Sequence, residues 1–142
     1  MPAITLIFAG VAALVNIWLA IRCGRVRSAE KINHGDGGNA LLQRRMRAHL
    51  NFAENTPLVL ILVLVLELSG TPPLWLAIAP ALYIIARIAH GIGMDAESGS
   101  KARMFGTLVT LLLLLGLAGL AVGTGYGLMQ ERDLPASIGV AA

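Results

Sequence analysis

Long uncharged stretches alternate with short polar ones along the 142 residues of this chain. The first, residues 3–21, holds nineteen residues without a charge, and roughly 20 apolar residues cross the hydrocarbon core of a bilayer. Three further apolar segments follow, so the pattern predicts four membrane helices at about 3–21, 40–68, 74–93 and 102–129. A cleaved signal peptide is the alternative for the first segment. However, no basic residue precedes this segment and no small-x-small cleavage site follows it, which favours a membrane span.

Glycines and prolines refine the predicted helices. The glycine-rich cluster at 34–39 predicts a turn and a helix start. Pro57 predicts a kink in the second helix, and the tail from Gln130 is expected to fray. Three glycines recur at every fourth position of the fourth helix, a spacing that lets helices approach closely in lipid, either between subunits or within the chain. They are Gly119, Gly123 and Gly127.

The composition agrees with a membrane environment. The chain is 56% hydrophobic and 13% charged, whereas an ordinary soluble domain carries about 25% charged residues. This excludes a soluble monomer and a disordered chain, and it favours a single four-span all-α domain over residues 1–142. The single cysteine, Cys23, has no partner for an internal disulfide, and no metal-ligand spacing is present. No nucleotide-binding loop occurs and the basic loop lacks interleaved aromatics, so we expect neither a metal nor nucleic acid as a partner.

The basic residues are concentrated in two of the three connections. Ten of the eleven Lys and Arg residues lie between the first and second helices or near the connection of the third and fourth. The connection at 67–73 has none. The positive-inside rule therefore predicts that both basic loops are cytoplasmic and that both termini lie on the opposite side.

The second helix carries a polar face inside an otherwise apolar segment. At 100° per residue, five side chains fit within an arc of about 100°, and His49 points elsewhere. Such a face predicts either a binding site or an intramembrane salt-bridge network, for example between Arg47 and Glu54. We interpret the nearby Arg45 and Lys31 as solvated or headgroup-facing charges. The five residues of the face are Arg44, Arg47, Asn51, Glu54 and Asn55.

A second polar set lies on the third helix and at the start of the fourth. Tyr83, Arg87, His90 and Met94 are spaced by four, three and four residues, so they share a helix face. Arg103 lies at a predicted helix N-terminus, where a cation is unfavourable unless an anion is also bound. Together with the second helix, these residues predict a donor-rich site for a polyanionic ligand at the cytoplasmic end of the bundle.

The residues at 47–57, Arg-Ala-His-Leu-Asn-Phe-Ala-Glu-Asn-Thr-Pro, resemble the second-helix pattern of the MAPEG family, the membrane-associated proteins in eicosanoid and glutathione metabolism. The segments at 34–38, 86–93 and 103–106 resemble the bacterial branch of that family. The resemblance covers nearly the whole chain, and it implies an inner-membrane homotrimer of left-handed four-helix bundles. It further implies that glutathione binds between neighbouring subunits and that a lipophilic substrate enters from the membrane lipids.

The resemblance also implies roles for individual residues. Arg47, with Arg87 or Arg27, would hold the glutathione carboxylates, since guanidinium groups bind carboxylates with two parallel hydrogen bonds. Glu54 would bind the ammonium, and Asn51 the peptide. Arg103 resembles the arginine that stabilises the glutathione thiolate and so lowers the pKa of the thiol from about 8.5.

Three positions differ from many members of the family. Asn55, His90 and Met94 stand where tyrosines are common, so a hydroxyl that could contact the thiol is absent there, and His90 is a possible substitute donor. The leading hypothesis is a glutathione-dependent transferase or peroxidase acting on lipophilic electrophiles or hydroperoxides. The alternative is a non-catalytic glutathione- or lipid-binding scaffold. A small four-span multidrug exporter is disfavoured because the first helix lacks a carboxylate.

Overall fold

A computed structural model describes residues 1–133 of the chain, which fold into four α-helices. They are α1 (Ala3–Glu30), α2 (Ala40–Leu68), α3 (Pro73–Gly93) and α4 (Lys101–Asp133). All four are long and apolar enough to cross a membrane. The predicted all-α architecture with four membrane helices is therefore confirmed.

Two helix ends differ from the prediction. α1 continues nine residues past the predicted end at 21, because Cys23 and Val26 pack against the buried Leu42 of α2 at this end of the bundle. Packing between helices thus extends α1 through an arginine-containing segment that the sequence pattern placed in a polar connection. α4 continues through Gln130, where fraying was expected, to Asp133; the rest of the predicted tail, residues 134–142, lies outside the described residues.

α2 and α3 form the centre of the bundle. α1 and α4 each pack against both of these helices and do not contact one another in the described region. The core between them contains Phe8, Phe52 and Tyr83, with the rings of Phe8 and Tyr83 edge to face at 5.8 Å. Leucine, isoleucine and valine side chains cover the outer surface, as expected for helices whose solvent is lipid.

The carboxylate of Glu67, at the end of α2, caps the first turn of α1. Its two oxygens accept hydrogen bonds from the backbone N–H groups of Ile4 and Thr5, both at 2.8 Å, and from the Thr5 hydroxyl at 2.7 Å. The residue before α1 is Pro2, which supplies no side-chain cap. Because free N–H groups at a helix N-terminus attract an anion, Glu67 fixes α1 to α2 at the end of the bundle away from the basic loops.

Asp95, in the α3–α4 connection, binds arginines from α1 and α2 at the opposite end. Its carboxylate accepts two hydrogen bonds from Arg45, at 3.0 and 2.9 Å, and pairs with Arg22 at 2.7 Å. Its backbone carbonyl accepts a hydrogen bond from Arg44 at 3.3 Å. We call this group the Asp95 clamp. The interpretation of Arg45 as a solvated or headgroup charge is therefore wrong, because an acid six residues before α4 neutralises it.

α3 and α4 approach closely at Gly106. A Cβ atom at this position would collide with the carbonyl oxygen of Ala86 and with the Cβ of His90, so only glycine fits there. In contrast, a Cβ at Gly119, Gly123 or Gly127 would meet nothing within 4 Å in the described chain. Packing against the described residues therefore does not explain the glycine pattern of α4, and contact with another subunit is the alternative that stays open.

We predict that Gly106→Ala destabilises the bundle by about 1–3 kcal/mol, because the added methyl overpacks the α3–α4 contact. Unfolding of the purified protein in detergent measures this. Gly10→Ala is the matched control: the space around Gly10 is open, so the helix gains up to about 1 kcal/mol from the lower backbone entropy of alanine. Equal effects of the two substitutions would contradict the close approach at Gly106.

We predict a pH-dependent loss of stability in Asp95→Asn. Partial burial raises the pKa of Asp95, but hydrogen bonds from Arg45 and Arg22 and their positive charges lower it more, so the pKa lies below its ordinary value. The stabilisation is therefore complete above the ordinary carboxyl pKa of about 3.9 and is lost as the pH falls through the lower pKa of the folded state.

The Tm of the wild type should exceed that of Asp95→Asn at neutral pH, and the difference should shrink as the pH falls below about 4. Glu97→Gln, which changes an exposed acid of the same connection, should leave the Tm unchanged over this range. A wild-type advantage that persists unchanged at the lowest pH would refute the role given to the ion pairs.

Candidate functional site

A polar groove lies between α2 and α3, near the end of the bundle that carries the Asp95 clamp. It has a volume of about 250 Å³. Its lining combines one acid, one guanidinium, one amide and one imidazole, which are the residue types predicted for a charged ligand. The lining residues are Arg47, Leu50, Asn51, Glu54, His90 and Met94.

Arg47 and Glu54 have no ion-pair partner in the groove. Among the described side chains, salt bridges join only Arg22 and Arg45 to Asp95. Both Arg47 and Glu54 are exposed. The alternative of an Arg47–Glu54 salt bridge is thus not formed, and two opposite charges remain available at one groove.

Arg87 lies behind the groove rather than on its surface. Its side chain is only 2% exposed. Nη1 donates hydrogen bonds to Asn51 Oδ1 at 2.7 Å and to Thr110 Oγ1 at 3.2 Å. Nε and Nη2 are buried without a hydrogen-bond partner among the described residues. Arg87 therefore reaches the groove through Asn51.

His90 is shared between the groove and a larger apolar pocket. This second pocket has a volume of about 610 Å³. Arg103, another residue predicted for the site, lines it together with His90. The pocket lies against α4, and most of its lining is apolar or basic. Its other lining residues are Lys101, Met104, Phe105, Thr107, Leu108 and Leu111.

The ring of His90 is held by α4. Nδ1 lies 3.4 Å from the carbonyl oxygen of Arg103 and 3.2 Å from Thr107 Oγ1, and the Thr107 hydroxyl donates to the same carbonyl at 3.0 Å. Because a carbonyl oxygen can only accept, the arrangement that satisfies all three groups places the proton on Nδ1. Nε2 then carries a lone pair, so this tautomer makes His90 a hydrogen-bond acceptor at Nε2, and the role of His90 as a substitute donor stays a prediction.

Three predicted site residues lie elsewhere in the chain. Arg27 lines a separate pocket of about 460 Å³ between α1 and α2, and its guanidinium contacts Met46. Arg44 donates to the Asp95 carbonyl. The amide of Asn55 donates to the backbone carbonyl of Asn51 at 2.7 Å, one turn back. The single chain does not bring these three to the groove.

His49 follows the helix-face prediction. It lines the α1–α2 pocket, and its Nε2 lies 2.8 Å from Asn16 Oδ1.

Three contributors to the site were missed in the sequence. Thr107 and Thr110 follow Arg103 by four and seven residues, so a helical spacing places all three on the face of α4 that packs against α3. Thr107 and Thr110 could therefore have been predicted from this spacing. Asp95 offered no comparable pattern, because its role depends on which arginines the tertiary fold places beside it.

The fold and the groove define an integral membrane protein of four spans, with a charged groove at one end and an adjoining apolar pocket. The sequence model of the MAPEG family matches residues 5–123. The chain therefore belongs to the MAPEG family of membrane-associated proteins, whose functions concern glutathione and eicosanoids. The predicted family is confirmed.

Two curated relatives are similar over most of the chain. The inner membrane protein YecN of Escherichia coli (strain K12) is 25% identical over 114 residues, which covers 79% of this chain and 87% of the relative. The protein of the same name from Escherichia coli O6:H1 has the same identity and coverage. These relatives support placement in the membrane.

We predict that Arg47 and Glu54 do not stabilise one another. In a double-mutant cycle of Arg47→Ala and Glu54→Ala, measured by unfolding in detergent without glutathione, the coupling energy should be below about 0.5 kcal/mol. Arg45→Ala with Asp95→Ala is the positive control, because these side chains share two hydrogen bonds. A coupling between Arg47 and Glu54 as large as in the control would restore the salt-bridge interpretation.

Proposed function

We propose that the protein is a glutathione-dependent membrane transferase or peroxidase that activates the glutathione thiol for attack on lipophilic electrophiles or hydroperoxides. The observation that carries the proposal is the pair of opposite charges on Arg47 and Glu54, which have no ion-pair partner among the described side chains and lie on either side of Asn51 in one groove. An ionisable residue exposed in a membrane helix without a partner is expensive to maintain. A ligand with both a carboxylate and an ammonium supplies the missing partners.

Glutathione fits this arrangement group by group. Arg47 binds a carboxylate, Glu54 binds the ammonium of the γ-glutamyl end, and Asn51 binds the peptide between them. Arg87 is too deeply buried to hold the second carboxylate. Arg27 is the remaining candidate, and it lines the α1–α2 pocket rather than the groove of its own chain. In the proposed homotrimer, Arg27 of one subunit reaches the groove of the next.

Arg103 provides the chemistry at the thiol. Its guanidinium lowers the pKa of a nearby thiol and raises the fraction of thiolate at neutral pH. The thiolate then attacks an electrophilic carbon and displaces its leaving group, or it attacks the terminal oxygen of a hydroperoxide, breaks the O–O bond and releases an alkoxide that is protonated to the alcohol. In the second case, a further glutathione converts the resulting sulfenic acid to the disulfide and water. The protein supplies orientation and electrostatic stabilisation. The apolar pocket beside Arg103, which includes Phe105 and Leu108, accommodates the lipophilic substrate. With the basic loops in the cytoplasm, glutathione enters from that side and the substrate from the bilayer.

A second candidate is a scaffold that binds glutathione or lipid without catalysis. Three observations favour it. Among the described residues, no tyrosine lines the groove. The hydroxyl of the buried Tyr83 is paired with Thr56 at 2.8 Å, and the amide of Asn55 is bound to its own helix. Among the described residues, the lining of the groove itself therefore offers no hydroxyl to a thiolate.

The decisive experiment measures turnover of the detergent-purified protein with glutathione and an activated aryl halide, or with an organic hydroperoxide. We predict that Arg103→Ala lowers kcat/KM by about 10- to 100-fold, because the thiolate loses its stabilising cation. Arg103→Lys, which keeps a positive charge, should lose less.

Wild-type turnover no higher than that of Arg103→Ala would contradict catalysis. If glutathione nonetheless raises the Tm of the wild type but not that of Glu54→Ala, the scaffold is the correct function. If glutathione changes neither Tm nor turnover, both candidates fail.

A further inference from the structure

We propose that Arg87 is a positioning residue: it fixes the amide of Asn51 so that Asn51 offers the groove a hydrogen-bond donor only. The groove then selects, at this place, an acceptor oxygen of the ligand rather than an N–H group. This inference rests on the proposed function only for the identity of the ligand as glutathione.

The first step is the direction of the Asn51 amide. Arg87 Nη1 lies 2.7 Å from the side-chain oxygen of Asn51. A guanidinium has donors and no acceptor, so the NH₂ group of Asn51 cannot occupy this position. The contact therefore determines which end of the amide faces Arg87 and which end does not.

The second step concerns the other end of the amide. Asn51 Nδ2 makes no hydrogen bond to a described side chain, yet it is not among the buried polar atoms that lack partners. It is therefore open to the groove that Asn51 lines. The neighbouring amide of Asn55 does not compete for Asn51 Oδ1, because it donates to the backbone carbonyl instead. Two donor hydrogens of Asn51 are left for a ligand.

The third step is the electrostatic effect of Arg87. No carboxylate is paired with its guanidinium among the described residues, and two of its nitrogens have no partner. Its positive charge thus acts through Asn51 undiminished. Because a hydrogen-bonded chain polarises in a medium of low dielectric constant, the Asn51 N–H groups become stronger donors. They suit an oxygen with negative character, such as the peptide carbonyl between the charged ends of glutathione.

Asn51→Asp separates the positioning role from a merely structural one. The new carboxylate faces an uncompensated buried guanidinium, so it gains an ion pair with Arg87 while the groove loses its donor. We expect the ligand-free Tm of Asn51→Asp to equal or exceed that of the wild type. The Kd for glutathione should nonetheless rise by at least about tenfold, because an acceptor of the ligand then meets another acceptor.

Asn51→Leu is the matched control. It removes one of the two described acceptors of Arg87, leaving Thr110, and it also removes the donor of the groove, so both the ligand-free Tm and glutathione binding should fall. Combining Arg87→Met with Asn51→Asp removes the ion pair, so the Tm of the double variant should fall below that of Asn51→Asp alone. If that double variant does not fold, the comparison of Asn51→Asp with Asn51→Leu still decides the role of Arg87.

A direct readout is the side-chain ¹⁵N–H₂ resonance of Asn51 in the selectively labelled wild type, assigned by its loss in Asn51→Asp. We expect this resonance to move when glutathione is added. Glutathione binding by Asn51→Asp with wild-type affinity, or an Asn51 resonance that stays fixed at saturation, would overturn the inference.

An Asn51→Asp variant less stable than Asn51→Leu would also overturn the inference, whether or not glutathione binds. Failure of the wild type to bind glutathione has a different meaning. Together with a stable Asn51→Asp, it would refute the proposed function and support the orientation of Asn51 by Arg87.

Discussion

The Asp95 clamp is the interaction on which the arrangement of the groove depends. Asp95 follows directly on Met94, which lines the groove, and it joins the end of α3 to α1 and α2 through Arg22, Arg45 and its own carbonyl. One carboxylate therefore fixes the position of α3 relative to α2, and with it the distance between the two walls of the groove. The clamp also occupies Arg22, Arg44 and Arg45. Of the lysines and arginines that line the groove or the adjoining pocket, Arg47 on α2 and Lys101 and Arg103 on α4 are left for a ligand.

The charge buried behind the groove has a different role. Placing a guanidinium inside a bundle costs several kcal/mol unless it is paired, yet Arg87 has a neutral amide and a hydroxyl as its described partners. A carboxylate in place of Asn51 would compensate Arg87 better and would remove the donor from the groove. The arrangement is therefore poorer for stability than one that the same positions permit. A lower stability of this kind is typical of residues selected for binding.

Some of these features are set by residues close together in the sequence, and these could be predicted; others are set by contacts between helices, and these could not. The four spans and the shared face of Arg47, Asn51 and Glu54 depend on the length of apolar segments and on helical periodicity, which are local. The extension of α1 to Glu30, the pairing of Arg45 with Asp95 and the separation of Arg27 from the groove depend on which helices become neighbours. No spacing within one helix contains that information. His90 combines both cases: its helix face was predictable, whereas its tautomer depends on the carbonyl of Arg103 on another helix.

Three acids at the ends or within the spans show why Glu54 is the centre of the proposed site. Glu67 accepts three hydrogen bonds from the start of α1, and Asp95 binds two arginines. Both carboxylates therefore have a structural role that accounts for their presence. Glu54 lies within the apolar part of the chain, and no described side chain pairs with it. Since a carboxylate in that setting is maintained only against a cost, its partner has to come from outside the chain. In the proposed function, the ammonium of a ligand in the groove is this partner of Glu54.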